Sequence, residues 1–173
     1  MGRPKEPVSP YKVRGRRVPD GPAPADEIMA LHMLKMAVGI DTVGHLAAVQ
    51  KRKMARAKGG HGASPLRHFT RNAPRRWREI LDGGSIYWII KGAIRVRQRI
   101  LGIDRGTDVE GRRYCQLSLD PALVRTTPRP NKALQGWRYL ENSGAPMDLD
   151  AGDGMTGDMP ADMVAELRTL GLL

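Results

Sequence analysis

From Ala93 to Ile103 the side chains alternate in character. Ile94, Val96 and Ile100 are separated by Arg95, Arg97 and Arg99, with Gln98 the one polar residue on the apolar side. A period of two belongs to a strand, because successive side chains leave opposite faces of the pleat. Residues 104–111 (DRGTDVEG) are turn-like. Arg112 to Leu119 then alternates again, Cys115, Leu117 and Leu119 against Tyr114, Gln116 and Ser118. Together the two runs predict a hairpin with one dry and one polar face, and hence an antiparallel sheet covered on one side.

The flanking sequence adds helices and further strands. Ala30 to Val38 (ALHMLKMAV) alternates as a strand. Thr42 is placed to cap a helix running to about Lys58, with Val43, Leu46, Ala47, Gln50 and Met54 on its inner side. Leu66 to Thr70 reads as a short strand. Asn72 and Pro74 predict the start of a short helix over 73–82, with Arg75, Arg76 and Arg78 crowding its positive end. Ser85 to Lys91 (SIYWIIK) is apolar on both faces and predicts a central strand, a buried helix being the alternative that periodicity leaves open. Pro121, Pro128 and Pro130 punctuate the next segment, and Leu134 to Leu140 predicts a last strand. The expected fold is α+β, a mainly antiparallel curved sheet or small barrel with two helices. The expected organisation is a disordered, basic, Pro-rich tail (1–28), one domain (29–140), then an acidic linker and a short amphipathic helix (141–173). Met29, where the ordered pattern begins, is a candidate translation start.

Charge gives the functional direction. Between Lys51 and Arg99 there are fourteen Lys or Arg and only two acids, Glu79 and Asp82. Arg outnumbers Lys by 21 to 8. GC-rich coding explains such a ratio as well as function does, but not the clustering. Guanidinium forks grip phosphates, so a polyanionic partner is expected, nucleic acid first and RNA before DNA. The expected interface is Arg95, Arg97 and Arg99, spaced at roughly 6.7 Å along one strand face, with help from Arg75, Arg76, Arg78 and Lys91. Tyr114 and Trp137 are the candidates for base contacts, and Arg138 is a further candidate for the interface. A solvated outer face with its charges kept apart is the plain alternative, and core packing is the plain role of Trp77 and Trp88.

Other chemistries find little support. His32, His45, His61 and His68 lack ligand spacing, and Cys115 is the only cysteine. No metal site, disulfide or cofactor is therefore expected, and a reducing cytoplasm fits. Gly152 to Gly157 (GDGMTG) matches a dinucleotide fingerprint in letters only, since it follows no strand and lies among Asp148, Asp150, Asp153 and Asp158. Ser85 lacks the flanking pattern of a hydrolase elbow. No apolar run reaches the roughly 20 residues of a membrane span. Two alternatives remain. One is an enzyme for a small phosphorylated or carboxylated substrate, its anion gripped by Lys91 and nearby arginines, which a pocket joining Lys91, His68 and Tyr87 would favour. The other is a scaffold whose C-terminal helix, 160–173, meets another protein through Leu167, Leu170, Leu172 and Leu173.

Four stretches carry a resemblance: MALHMLKMAVG (29–39), ILDGGSIYWIIKGAIRVRQRILGI (80–103), LDPALVRTTPRP (119–130) and QGWRYL (135–140). Through them the run from Met29 to Tyr139 resembles a bacterial family of small proteins known as a domain of unknown function. The resemblance implies no activity and carries over no functional residue. A looser likeness, in the order helix, Asp82-Gly83-Gly84, strand, then Leu101-Gly102-Ile103, is to PUA-like barrels and implies a fold often used for RNA.

Overall fold

A computed structural model describes residues 30–57 and 66–149. The N-terminal tail, the glycine segment 59–62 and the expected C-terminal helix lie outside the described residues. The strands are β1 (His32–Met36), β2 (Leu66–Thr70), β3 (Ser85–Ile90), β4 (Ala93–Thr107), β5 (Arg113–Leu119), β6 (Val124–Pro130) and β7 (Trp137–Leu140), and the helices are α1 (Val43–Ala57) and α2 (Trp77–Leu81). They form one sheet in the order β2-β5-β4-β3-β1-β7, with β6 also pairing to β4. Only β1 and β3 run parallel. The fold is therefore α+β around a mainly antiparallel sheet. With β2 and β7 as edges the sheet stays open, so the described strands do not close the barrel considered from the sequence.

β4 organises the sheet. Its first half lies between β3 and β6, and its second half pairs with β5. β5 and β6 follow one another along it, because Ile100 is opposite Leu119 and Arg97 opposite Val124. The hairpin expected between 93 and 119 is thus real only from Ile100 onward, and its turn is shorter than 104–111 because β4 continues to Thr107. β6 was not anticipated. Pro128 and Pro130 argue against a central strand, but an edge strand tolerates residues without an N–H. Its outer side is finished by residues 147–149: Thr127 N–H donates to Met147 O and Leu149 N–H to Arg125 O. The first part of the expected linker is therefore packed on the sheet.

The sheet curls strongly. His68 on β2 meets Trp88 on β3 edge-on, ring centroids 5.1 Å apart. Three strand spacings would separate them by about 14 Å in a flat sheet. The concave side holds the main core, with Met33, Ile86, Trp88, Val96, Ile100 and Leu117 meeting Leu46 of α1 and Ile80 of α2. α1 starts as read from the sequence, for His45 N–H donates to Thr42 Oγ1 at 3.0 Å. It turns Val43, Leu46 and Gln50 inward and leaves Ala47 exposed. α2 departs from expectation, since Asn72 and Pro74 do not start it and Arg76 is its N-cap. The Asn72 carbonyl is engaged elsewhere, accepting from the Trp137 indole at 2.8 Å and the Thr70 hydroxyl at 3.1 Å. Lys91 and Gly92, with φ of 48° and 77°, form the two-residue turn between β3 and β4, whose twist suits a tight hairpin.

One polar network sits inside this core. Gln98 is fully buried. Its amide exchanges two 2.8 Å hydrogen bonds with Gln50, also donates to Asp120 O, and accepts from the Trp88 indole at 2.9 Å. This ties α1 to the middle of the sheet. Gln98→Leu keeps the volume but strands the Trp88 N–H and both the nitrogen and the oxygen of the Gln50 amide. Urea unfolding should show a loss of about 2 kcal/mol; an unchanged midpoint would mean the network adds nothing to stability.

Candidate nucleic-acid interface

The expected row of three arginines is not built as read. The β4 ladder slips at Ile94/Val96. Ile94 is opposite Ile89 on one face and Val96 opposite Trp88 on the other, so Arg95 is the extra residue of a bulge, out of register with the row. Its Nε donates to Ile90 O at 3.3 Å. Arg97 and Arg99 do share the convex face, opposite Tyr87 and Ser85. Arg97, however, is half-buried, with a side chain only 16% exposed, and grips Asp148 through two hydrogen bonds of 2.6 and 2.5 Å. It also donates to Ser85 Oγ at 3.2 Å. A guanidinium clamped in this way belongs to the packing of residues 141–149 against the sheet. The physical reason is local coverage, since Leu134, Leu140 and Ala145 pack over Tyr87, Ile89 and Ile94 here.

The neighbouring polar groups are struts rather than catalysts. His32 Nδ1 accepts from Ser85 N–H at 3.0 Å, which places the proton on Nε2, facing Asn142 Oδ1 at 3.1 Å. Both ring nitrogens are used, and burial lowers the imidazole's pKa. Burial likewise raises the Tyr87 hydroxyl to about 12.

The remaining candidates fall into separate places. Arg76 and Trp137 lie where the segment leading into α2 meets β7, and Arg138 leaves β7 on the opposite side, across from Leu34. Arg76 is ion-paired with Glu79 at 2.6 Å and Glu141 at 3.0 Å, and its N–H donates to the Tyr139 hydroxyl. Those carboxylates explain a cation at an unfavourable helix end. Arg78 lies over the Trp77 ring, Trp137 packs edge-on against Tyr139, and Arg138 donates to the carbonyls of Gln135 and Trp137. Arg75 is exposed. Lys91 is at the far hairpin tip, 2.6 Å from Asp41. Lys91, His68 and Tyr87 are not joined: His68 is on the concave side and Tyr87 on the convex one, so the expected substrate pocket is absent from that trio.

Tyr114 leads to a different surface. On β2, β5 and the second half of β4 the convex face carries Arg67 and Phe69, then Tyr114, Gln116 and Ser118, then Gly102, Asp104 and Gly106. All of these are exposed or half-exposed. Phe69 is 54% exposed and meets Tyr114 edge-on at 5.7 Å. The Tyr114 ring lies across Gly106, where a Cβ would collide with it. Arg99 enters the same face from β4, and Arg71 follows β2. Among the described residues none of Arg67, Arg71 and Arg99 is ion-paired with a carboxylate. Asp104, opposite Gln116, is an acceptor in the middle of the face.

Phe69 and Arg67 were missed in the sequence. The signal was present in Leu66-Arg67-His68-Phe69-Thr70, where the chain's one phenylalanine stands on the polar parity beside an arginine. Asp148 gave no signal as the partner of Arg97, 51 positions away.

His68 has its own consequence. Burial first, then the ammonium groups of Lys35 and Lys53, lower its pKa from 6.5 to about 4. Protonation is thus easier in the unfolded chain. The stability it lends is complete above about pH 6.5 and is lost as pH falls toward 4, by roughly 3 kcal/mol. Urea midpoints measured across that window should fall, and His68→Leu should make the fall shallower, with His32 leaving a residual slope of the same sign. An identical profile in the variant would contradict this.

These features define an α+β protein whose half-covered sheet leaves one aromatic and basic face open. The chain belongs to the family described as protein of unknown function (DUF1489), which matches residues 33–173. That span includes residues 141–173, beyond the reach of the resemblance read from the sequence. No curated protein and no solved structure matches the chain. Among the described residues no helix is long and apolar enough to cross a membrane, and no group of His, Cys, Asp and Glu is placed to hold a metal ion.

Proposed function

We propose that this protein binds single-stranded nucleic acid, RNA in preference to DNA, on the convex face of β2, β5 and β4. The observation that carries the reading is the exposed Phe69 beside Tyr114 on an open sheet, rimmed by Arg67, Arg71 and Arg99. Open sheets with two aromatic rings offer stacking platforms to unpaired bases, and guanidinium groups alongside follow the backbone. Gln116 and Ser118, between the rings and Arg67, supply side-chain groups that can hydrogen-bond a ribose 2′-hydroxyl, and Asp104 can accept from a base amino group. Relative to the sequence-based expectation the grip moves: Tyr114 and Arg99 stay, Phe69, Arg67 and Arg71 join them, and Arg95 and Arg97 leave.

The test is anisotropy of a labelled oligouridine with the purified protein over a salt series. Neutralising three or four phosphates gives a log–log salt slope of about −2 to −3 for a single strand. Arg99→Ala should reduce that slope by roughly 0.7. Absence of binding at low salt, or binding indifferent to salt, would overturn the reading. A deoxyuridine oligomer binding as tightly as the RNA would remove the preference for RNA.

A further inference from the structure

On the opposite side of β2 lies a pocket of about 300 Å³, at the small end of the usual range for ligand cavities. We propose that it is a binding site for a small organic carboxylate with an aromatic or branched apolar body. Three independent features support this. Leu46 and Val49 of α1 and Trp88 of β3 supply apolar walls, and among the described residues no Asp or Glu lines the cavity. Lys35 of β1 and Lys53 of α1 bring two ammonium groups to it, from strand and helix. His68 Nε2 is buried against this space with no hydrogen-bond partner among the described residues.

An orphaned ring nitrogen in an apolar surround costs stability unless a ligand or water satisfies it. The other polar side chain at that depth, Gln50, is already paired with Gln98. Burial, then Lys35 and Lys53, keep the imidazole neutral near pH 7. A carboxylate seated between the lysines selects the tautomer with its proton on Nε2 and accepts it. Lys35, half-buried and with its own pKa lowered by burial, gains a counter-ion in place of its long contact of 3.4 Å to Gly136 O. A phosphate ester, doubly charged and strongly hydrated, would leave acceptors unpaired on this apolar floor. The cavity adjoins the convex face across β2: His68 points inward on that strand, and its neighbours Arg67 and Phe69 also border the cavity.

The probe is naphthoate, titrated calorimetrically into the full chain, with naphthalenemethanol as the uncharged isostere and naphthyl phosphate as the dianion. Naphthoate should bind with a Kd of about 100 µM. The alcohol should bind about tenfold more weakly, and the phosphate more weakly than the carboxylate. Lys35→Met and Lys53→Met should each reduce naphthoate affinity by about threefold or more, and the His68 ring resonances should shift on addition of naphthoate. Both lysine variants replace groups at the edge of the cavity, so the test does not depend on a His68 variant that folds. No naphthoate binding at about 1 mM would overturn the proposal. So would equal affinity for the alcohol, tighter binding of the phosphate, or lysine variants with unchanged affinity.

Discussion

Gly84→Ala is expected to cost about 4 kcal/mol, a large share of a small domain's stability. Gly84 joins α2 to β3. Its N–H donates to Ile80 O at 2.7 Å and its carbonyl accepts from Ile100 N–H at 3.1 Å. A Cβ added there would fall closer than 3.0 Å to two backbone oxygens, those of Leu31 and Ile80. Neither can swing away like a flexible side chain, since Leu31 leads into β1 and Ile80 is the buried anchor of α2. Relief would require α2 to lift off the concave core. Gly102→Ala is the control, because its Cβ would meet only Ser118 at an ordinary 3.6 Å. Urea unfolding of both variants checks the expectation. A Gly84→Ala protein with a wild-type midpoint would show that the approach of these chain segments is looser than described.

Removing both rings of the convex face, Phe69→Ala with Tyr114→Ala, should weaken oligouridine binding about a thousandfold. Each base stacked on an aromatic ring contributes about 1–3 kcal/mol, and the two rings present two such surfaces. Arg67, Arg71 and Arg99 remain, so the salt slope should persist while the affinity collapses. That separation distinguishes stacking from a generally basic surface. Phe69 is already largely exposed, so its loss should barely move the unfolding midpoint. Binding reduced less than about threefold in the double variant would place the nucleic acid elsewhere, and the exposed cations of α1 (Lys51, Arg52, Lys53 and Arg56) would become the surface to examine next.

Elements governed by neighbouring residues were readable. The bounds of β2, the buried run of β3 and the Thr42 cap of α1 all follow from periodicity or from one side chain reaching one turn away. β6 was hidden because prolines at 128 and 130 carry a local signal against strands, while the edge position that excuses them is set by distant residues. The direction of Arg95 was hidden as well: a bulge is one extra residue on one strand, and only the partner strand's count reveals it. The rest of the alternating run kept its faces, and so Arg99 and Tyr114 end up on the same side of the sheet.

The chain by itself determined that a two-residue period would bury Val96, Ile100, Cys115, Leu117 and Leu119 and turn their neighbours outward, because pleat geometry is local. It also set the excess of guanidinium groups, which is composition. Which of those groups keep their charge available to a partner was decided only by tertiary structure. Asp148 closes on Arg97, and Glu141 on Arg76, because the chain folds back across the sheet at those points. Electrostatic pairing depends on distance in space, and no spacing along the sequence encodes it.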